Sequence, residues 1–429
     1  MGEYTTRQIL DTIEALGTPR RLDLSGKDLT GIDLSRERIQ KELEAIRREN
    51  PEASPPWWFE YTRGLTMSGA NLREAVLMYA NLEGADLTRA DLRRADLTGV
   101  NLQGATLWRA NLNGAEVNRA NMVGVNLGGA RLERAHLRSA NLEASSLKGT
   151  SLPGADLSEA NLRKAELRFA DLERGNLASA NLKGADLLES NLKGVDVAGA
   201  ELEGCNLRGA DLERVNLLDV ENLAGVRLYG ALLHHTRVTG DQLKGRIGEE
   251  LNGEWREAKE AYLALKNNFE QLGRYEDARW AYRKERRMEK QEAWQRARAA
   301  ADAGSWREAV AGGTKALVDQ LVELVCDYGE SISRVILTLL AVWFLFSVTY
   351  AVAGVRGPWW ESSPGGVNPG APALVYPATL SLQAMTTLGA VGAGALPTRL
   401  LQALAAIQAL LGTFLAGLLG FVAGNRIRR

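Results

Sequence analysis

Cysteine and histidine are scarce in this chain, with two cysteines and three histidines among 429 residues. Cys205 and Cys326 stand far apart in different segments, so no disulfide framework is available and a reducing compartment is expected. The histidines are His136, His234 and His235, and none belongs to a nucleophile motif, a metal-ligand cluster or a phosphate loop. The expectation is no enzyme activity, no cofactor and no metal site, with the His234–His235 pair facing solvent. The first ten residues are polar and hold no apolar run of the kind a secretory leader needs. Charge is missing from one region only. The whole chain balances 52 Lys and Arg against 53 Asp and Glu, yet between Val335 and Asn425 only Arg356, Glu361 and Arg399 are ionic. A soluble part and an apolar part therefore share the chain, whose length suits roughly two to four domains.

What the chain has in excess is a period of five. From Met67 to Leu217 a Leu, Met or Val fills 31 consecutive centres, among them Leu72, Leu82, Leu102, Val117, Met122, Leu192 and Leu212. A small residue precedes each centre by two, as at Ala70, Ala80, Ala110 and Ala180, and Asn or Asp usually stands between, as at Asn71, Asp86, Asp91 and Asn111. This spacing matches neither a helix nor a simple strand. It fits a chain that turns a corner every fifth residue, with the small and the large residue inward and the other three toward solvent. Cys205 takes a small inward position and reads as a buried alanine substitute.

The Ala-(Asn/Asp)-Leu-x-x motif resembles the pentapeptide-repeat family. That resemblance implies a right-handed quadrilateral β-helix, four pentapeptides to a coil, of about eight coils and about 37 Å in length. Three earlier repeats around Leu24, Leu29 and Leu34 precede a break holding a charged amphipathic helix and the cluster Trp57, Trp58 and Phe59, which is expected to plug the open end. Near Glu221 the register slips by one residue and resumes through Leu223, Leu228, Leu233, Val238 and Leu243. Between Arg73 and Asp219 there are 18 basic and 21 acidic residues. That near-balance argues against imitation of DNA, so no nucleic-acid partner is expected; the rod's cytoplasmic partner stays unidentified.

After Gly248 the period becomes helical. Tyr262, Leu265, Phe269, Gly273, Tyr275, Ala278 and Tyr282 have the spacing of one tetratricopeptide hairpin. One such unit cannot bury its own face, so it should pack on the solenoid end or on a neighbouring subunit. Its second helix carries Arg279, Arg283, Lys284, Arg286, Arg287 and Lys290, which reads as a solvated face. A short amphipathic helix with Leu317, Leu321, Leu324 and Val325 follows.

Val335–Val355 and Leu400–Asn425 are charge-free runs of 21 and 26 residues, each long enough to cross a hydrocarbon core of about 30 Å. Arg334 precedes the first, and Arg426, Arg428 and Arg429 follow the second. Both ends are therefore expected on the cytoplasmic side of a plasma (inner) membrane, which the chain crosses more than once. Between the runs, Pro377 can open a short helix reaching about residue 387. Gly-rich backbone at membrane depth must be enclosed by protein or line a water-filled path. One hairpin cannot enclose it; symmetric association can.

The order of span, short helix, Thr386-Thr387-Leu388-Gly389, Pro397 and second span resembles the pore of two-transmembrane, potassium-channel-type subunits, over roughly Ser331–Arg429. It implies a homotetramer in the lipid bilayer that passes monovalent ions, cations above all. The filter would comprise Thr386, Thr387, Leu388, Gly389, Ala390, Val391, Gly392, Ala393 and Gly394. Ala390 stands where that family has Tyr, Val391 where it has Gly, and no Asp follows, so potassium selectivity is not expected. Gln402, Ala406, Ala409, Thr413 and Gly420 form a small, polar stripe on the last helix suited to lining a pore, with Gly412 and Gly417 as candidate hinges. The rival reading is a membrane-anchored scaffold without conduction. The expected layout is multidomain: residues 1–64 with an N-terminal helix, first repeats and capping insertion, then a solenoid at 65–247. A helical connector at 248–314 leads to an all-α membrane pore domain at 315–429, with spans about 335–355 and 400–425 and a re-entrant pore helix about 377–387.

Overall fold

The computed structural model describes residues 4–16, 23–49, 63–353, 375–386 and 399–427. The chain divides into two compact units, residues 1–288 and 289–429.

The first unit is built on parallel backbone bridges set 20 residues apart, as in Thr66–Asp86–Thr106–Asn126. Four pentapeptides therefore complete one coil. Each inward Leu donates its N–H to the following coil and each Asn or Asp donates to the preceding one, as in Leu82 N–H to Asn101 O at 2.8 Å and Asn101 N–H to Ala80 O at 3.0 Å. Only one residue per repeat sits in the ladder, because the chain turns immediately afterwards. The turn closes through Ala90 N–H to Leu87 O at 3.0 Å. Its third residue has a left-handed backbone, φ 65° at Gly84 and 56° at Arg89, which is the signature of a type II turn. Glycine adopts this freely, whereas Arg89, Arg109 and Phe169 hold it against a cost of about 1 kcal/mol each.

Centres and small residues are buried as expected, for example Leu82, Leu102, Ala80 and Ala110. The Asn/Asp position is only partly solvated, since it serves the backbone and the next coil together. Asp86 Oδ1 accepts the Thr88 N–H at 2.9 Å, while Asn101 Nδ2 donates to Asn81 Oδ1 at 3.0 Å and Asn121 Nδ2 to Asn101 Oδ1 at 2.9 Å.

Both ends of the coil are covered by helices. Asp23, Asp28 and Asp33 bridge to Thr66, Asn71 and Val76, 43 residues on instead of 20, so the early repeats are in register and 23 residues are inserted into their coil. That insertion contains α2 (Arg36–Glu49), while α1 (Thr6–Leu16) buries Ile9 and Leu10 in the solenoid core. The expected Trp57–Phe59 plug lies outside the described residues. At the far end the bridge spacing rises from 20 at Asn191–Asp211 to 21 from Glu201–Asn222 onward, in keeping with the slip near Glu221. There α3 (Gly248–Leu251), α4 (Trp255–Gln271) and α5 (Tyr275–Asp302) begin. Tyr262, Leu265, Phe269, Ala278 and Ala281 join the solenoid core. Asn268 Nδ2 donates to Thr236 O at 2.8 Å, and Gly240 N–H donates to Asp277 Oδ1 at 2.9 Å beside the Trp280 ring, where a Cβ on Gly240 would lie a tight 3.0 Å from the ring. The hairpin thus buries its face on its own solenoid. Its basic helix is not merely solvated, since Lys284 pairs with Glu250 at 3.0 Å.

The second unit holds the end of α5, then α6 (Trp306–Cys326), α7 (Ile332–Val352), α8 (Val375–Thr386) and α9 (Arg399–Ile427). Gly312 lets α6 approach α5, where a Cβ would lie 3.1 Å from that of Ala297. Lys290 pairs with Glu323, and Lys315 with Glu289 at 2.8 Å. Two helices, Ile332–Val352 and Leu400–Gly424, are long and apolar enough to cross a membrane, and only 22% and 33% of their apolar windows are buried. Phe344, Leu345, Leu410 and Phe414 point outward. A helix in a water-soluble core would bury such residues.

Two outcomes follow from the coil. Gly104→Ala adds a Cβ into open space at φ 65°, so it should destabilise the repeat unit by about 1 kcal/mol through backbone strain alone, read as a lower denaturant midpoint in circular dichroism. Cys205 is fully buried with Sγ 2.8 Å from Leu182 O, and burial pushes its thiol from 9.0 up to about 12. The neutral thiol is thus favoured in the folded state. Its contribution is complete below about pH 9 and is lost as pH rises toward 12. Maleimide should leave Cys205 unmodified at pH 8 until the coil unfolds; rapid native labelling would contradict its burial.

Candidate functional site

The membrane-type helices pack as three. α8 has 12 residues, far fewer than the roughly 20 a spanning helix needs. It starts at Val375, two residues before the expected Pro377. Proline is tolerated there because the N–H groups of a helix's first turn have no intrahelical partner. α8 lies against both long helices and is fastened to them by side chains. Tyr350 of α7 donates to Gln408 Oε1 at 2.9 Å, and Gln408 Nε2 donates to the Ser381 carbonyl at 3.0 Å and to its hydroxyl. Ser381 Oγ donates in turn to Trp343 O at 2.9 Å, and Trp343 Nε1 to Ala378 O at 3.0 Å. Gln408 is completely buried, and both ends of its carboxamide have partners. In apolar surroundings a satisfied network of this kind fixes one arrangement, whereas a broken one leaves costly orphans.

Packing tightens the same junction. A Cβ on Gly412 would stand 2.4 Å from Met385 O and 2.8 Å from its Cα, so only glycine allows the last turn of α8 to seat on α9. Beside this contact an open cleft of about 710 Å³ is lined by Leu339, Leu340, Trp343, Leu382, Met385 and Thr413.

Thr386 is the last residue of α8, and residues 387–394 of the expected filter lie outside the described residues. On α9, Ala406, Thr413 and Gly420 are exposed, Gln402 is half-buried and Ala409 is buried within the chain. Thr413 Oγ1 donates to Ala409 O at 2.9 Å. Gly417 meets open space, unlike Gly412. The Gln402–Gly420 stripe lies about 100° around the helix from the face carrying Gln408 and Gly412. Gln408 itself does not appear among the expected site residues. Its signal was present, because a carboxamide inside an apolar run demands a partner, but it lies off the stripe.

Comparison with known proteins bears on the first unit. A family model described as pentapeptide repeats matches eight copies within residues 63–240. This segment is a pentapeptide-repeat domain. Among solved structures, the domain is similar to HetL, a pentapeptide repeat protein involved in heterocyst differentiation regulation from the cyanobacterium Nostoc sp. strain PCC 7120. That match has 28% identity, covers 57% of this chain and 100% of that one, and has a TM-score of 0.29. A pentapeptide repeat protein from the Arabidopsis thaliana thylakoid lumen is 32% identical over 26% of this chain and 66% of its own, with a TM-score of 0.17. Another from Nostoc PCC 7120 is 35% identical over 21% and 69%, with a TM-score of 0.16. No curated protein matches the chain.

The network makes its own demand. Gln408→Leu should destabilise the second unit by about 2 kcal/mol, because Ser381 and Tyr350 lose their shared partner, and the effect should be less than additive with Ser381→Ala. Thermal unfolding in detergent reads both, and strict additivity would show that the two side chains act separately.

Proposed function

We propose that the chain is a homotetrameric protein of the plasma (inner) membrane that conducts monovalent cations. It has no catalytic role and no cofactor. The pentapeptide-repeat domain would lie in the cytoplasm, where it serves regulation or binds a protein partner, not a nucleic acid. The observation that carries this reading is α8, a helix too short to span, fastened between two helices long enough to do so. A half-membrane helix that continues as Gly-rich chain needs enclosure, and four copies around an axis provide it together with a water-filled path. The partial negative charge at the C-terminal end of α8 favours a cation at the start of Thr387–Gly394. Around such an axis the small residues Ala406, Thr413 and Gly420, exposed on a single chain, would leave a wide lining. Ala390 and Val391 omit the tyrosine that braces potassium filters, so discrimination among monovalent cations is weak.

Planar-bilayer recording of purified protein tests this directly. Replacing potassium by sodium should move the reversal potential only slightly, and Gly389→Asp should change unit conductance and cation preference. Silence toward every monovalent ion, across voltage, would leave the second reading, a hairpin that merely tethers the repeat domain. The altered Ala390–Val391 pair is what favours that alternative.

A further inference from the structure

The start of the connector carries three glutamates, Glu249, Glu250 and Glu254, and two of them meet cations. Glu254 accepts from Arg227 Nη2 at 2.6 and 2.7 Å and from Arg208 Nη1 at 3.3 Å. Glu250 accepts from Lys284 Nζ at 3.0 Å and from the Tyr262 hydroxyl at 2.5 Å, with Arg246 at 3.9 Å. Glu249 is different. It is fully buried. Its Oε1 accepts the Tyr229 N–H at 2.8 Å, while its Oε2 has no hydrogen-bond partner among the described residues, nor has the buried Nε of Arg227. The repeat explains why a carboxyl is needed there. Elsewhere an Asn or Asp two residues back accepts the equivalent N–H, as Asp186 does for Leu188 at 3.2 Å and Asn206 for Arg208 at 3.4 Å. In the last coil Arg227 holds that position and offers no acceptor, so Glu249 reaches in from α3 to supply one. Its seat is tight. Gly248 N–H donates to Val226 O at 2.7 Å, and a Cβ on Gly248 would lie 2.5 Å from Gly225 O.

We propose that Glu249 is a pH-sensitive latch, which holds the connector on the last coil when protonated and loosens it when ionised. The surrounding groups set the sign. From the coil, Arg227 favours the anion, but its Nη2 is engaged by Glu254 of α4. Beside Glu249 on α3, Glu250 draws Tyr262 of α4 and Lys284 of α5 to itself, so neither compensates Glu249. A buried carboxylate with one oxygen unpartnered is disfavoured. Burial therefore outweighs the Tyr229 N–H and Arg227 and holds the Glu249 carboxyl above its ordinary value of 4.5. A carboxyl raised in this way binds its proton more tightly in the seated state than in the released one. Its contribution is complete below about pH 4.5 and is lost as pH rises through the seated value. One proton lost per opening changes the opening equilibrium by at most about tenfold per pH unit. The latch lies wholly in the first unit and is independent of conduction by the second.

Hydrogen exchange of the full-length chain in detergent tests it, read as protection of the segment 225–251 after correction for the intrinsic rate at each pH. Protection in the native chain should fall as pH rises above about 4.5, by up to about tenfold per unit, and level once the seated carboxyl is ionised. Glu249→Gln, an uncharged isostere, should keep the low-pH protection across the whole range. Glu250→Gln, which removes the charge facing Lys284, should lower protection throughout and leave the fall in place. Protection that is flat in the native chain, or a fall that survives in Glu249→Gln, overturns the latch. Should Glu249→Gln not fold, Arg227→Met gives a second reading. Without that cation the anion is less favoured and the fall should move to higher pH; an unmoved fall assigns the proton to another group and overturns the proposal.

Discussion

Backbone hydrogen bonding in the absence of water is the constraint on which both units depend. In the repeat domain a pentapeptide typically gives two N–H groups to the following coil and one to the preceding coil, so coils must stack at a constant offset and the chain must turn between bonds. The inward Leu and Ala positions follow from that, because one large and one small residue from each repeat fill the narrow interior. The left-handed corners follow as well. In the second unit the helices satisfy their own backbones, and the problem moves to side chains such as Gln408, whose carboxamide must find partners on α7 and α8.

The repeat domain was legible from sequence almost residue by residue, since each repeat reports the same local geometry and the period survives any one substitution. Less was visible at positions whose role depends on a neighbouring coil. Asn81, Asn101 and Asn121 read as solvent-facing until their stacking is known. The glycines before each small residue belong to the same five-residue pattern, but their meaning is a φ angle and not a side chain. The connector hairpin was readable as a hairpin, and its docking site was open between two choices; Asn268 and Asp277 decide it by binding coil backbone.

At the membrane-type helices, composition announced the two long elements and the Pro377 segment between them. Composition could not announce which polar residues meet. Gln402 and Thr413 drew notice because they share a stripe, whereas Gln408 and Gly412 matter through contacts with α8, a helix separated from them in sequence by the Gly-rich chain. Helical period says which residues share a face. It says nothing of which face another helix will choose.

The single-residue slip at Glu221 shows how the rod sets its own dimensions. An extra residue is absorbed at a corner, after which bridging continues through Asn206–Arg227, Asp211–Leu232 and Asn216–Arg237 up to the helices that close the end. The coil can equally hold 23 residues in one corner near its start. Length along the axis is therefore a whole number of layers, indifferent to what protrudes from the sides. Reach and surface decoration are separate variables in this architecture, and either can change while the closing helices keep the same seat.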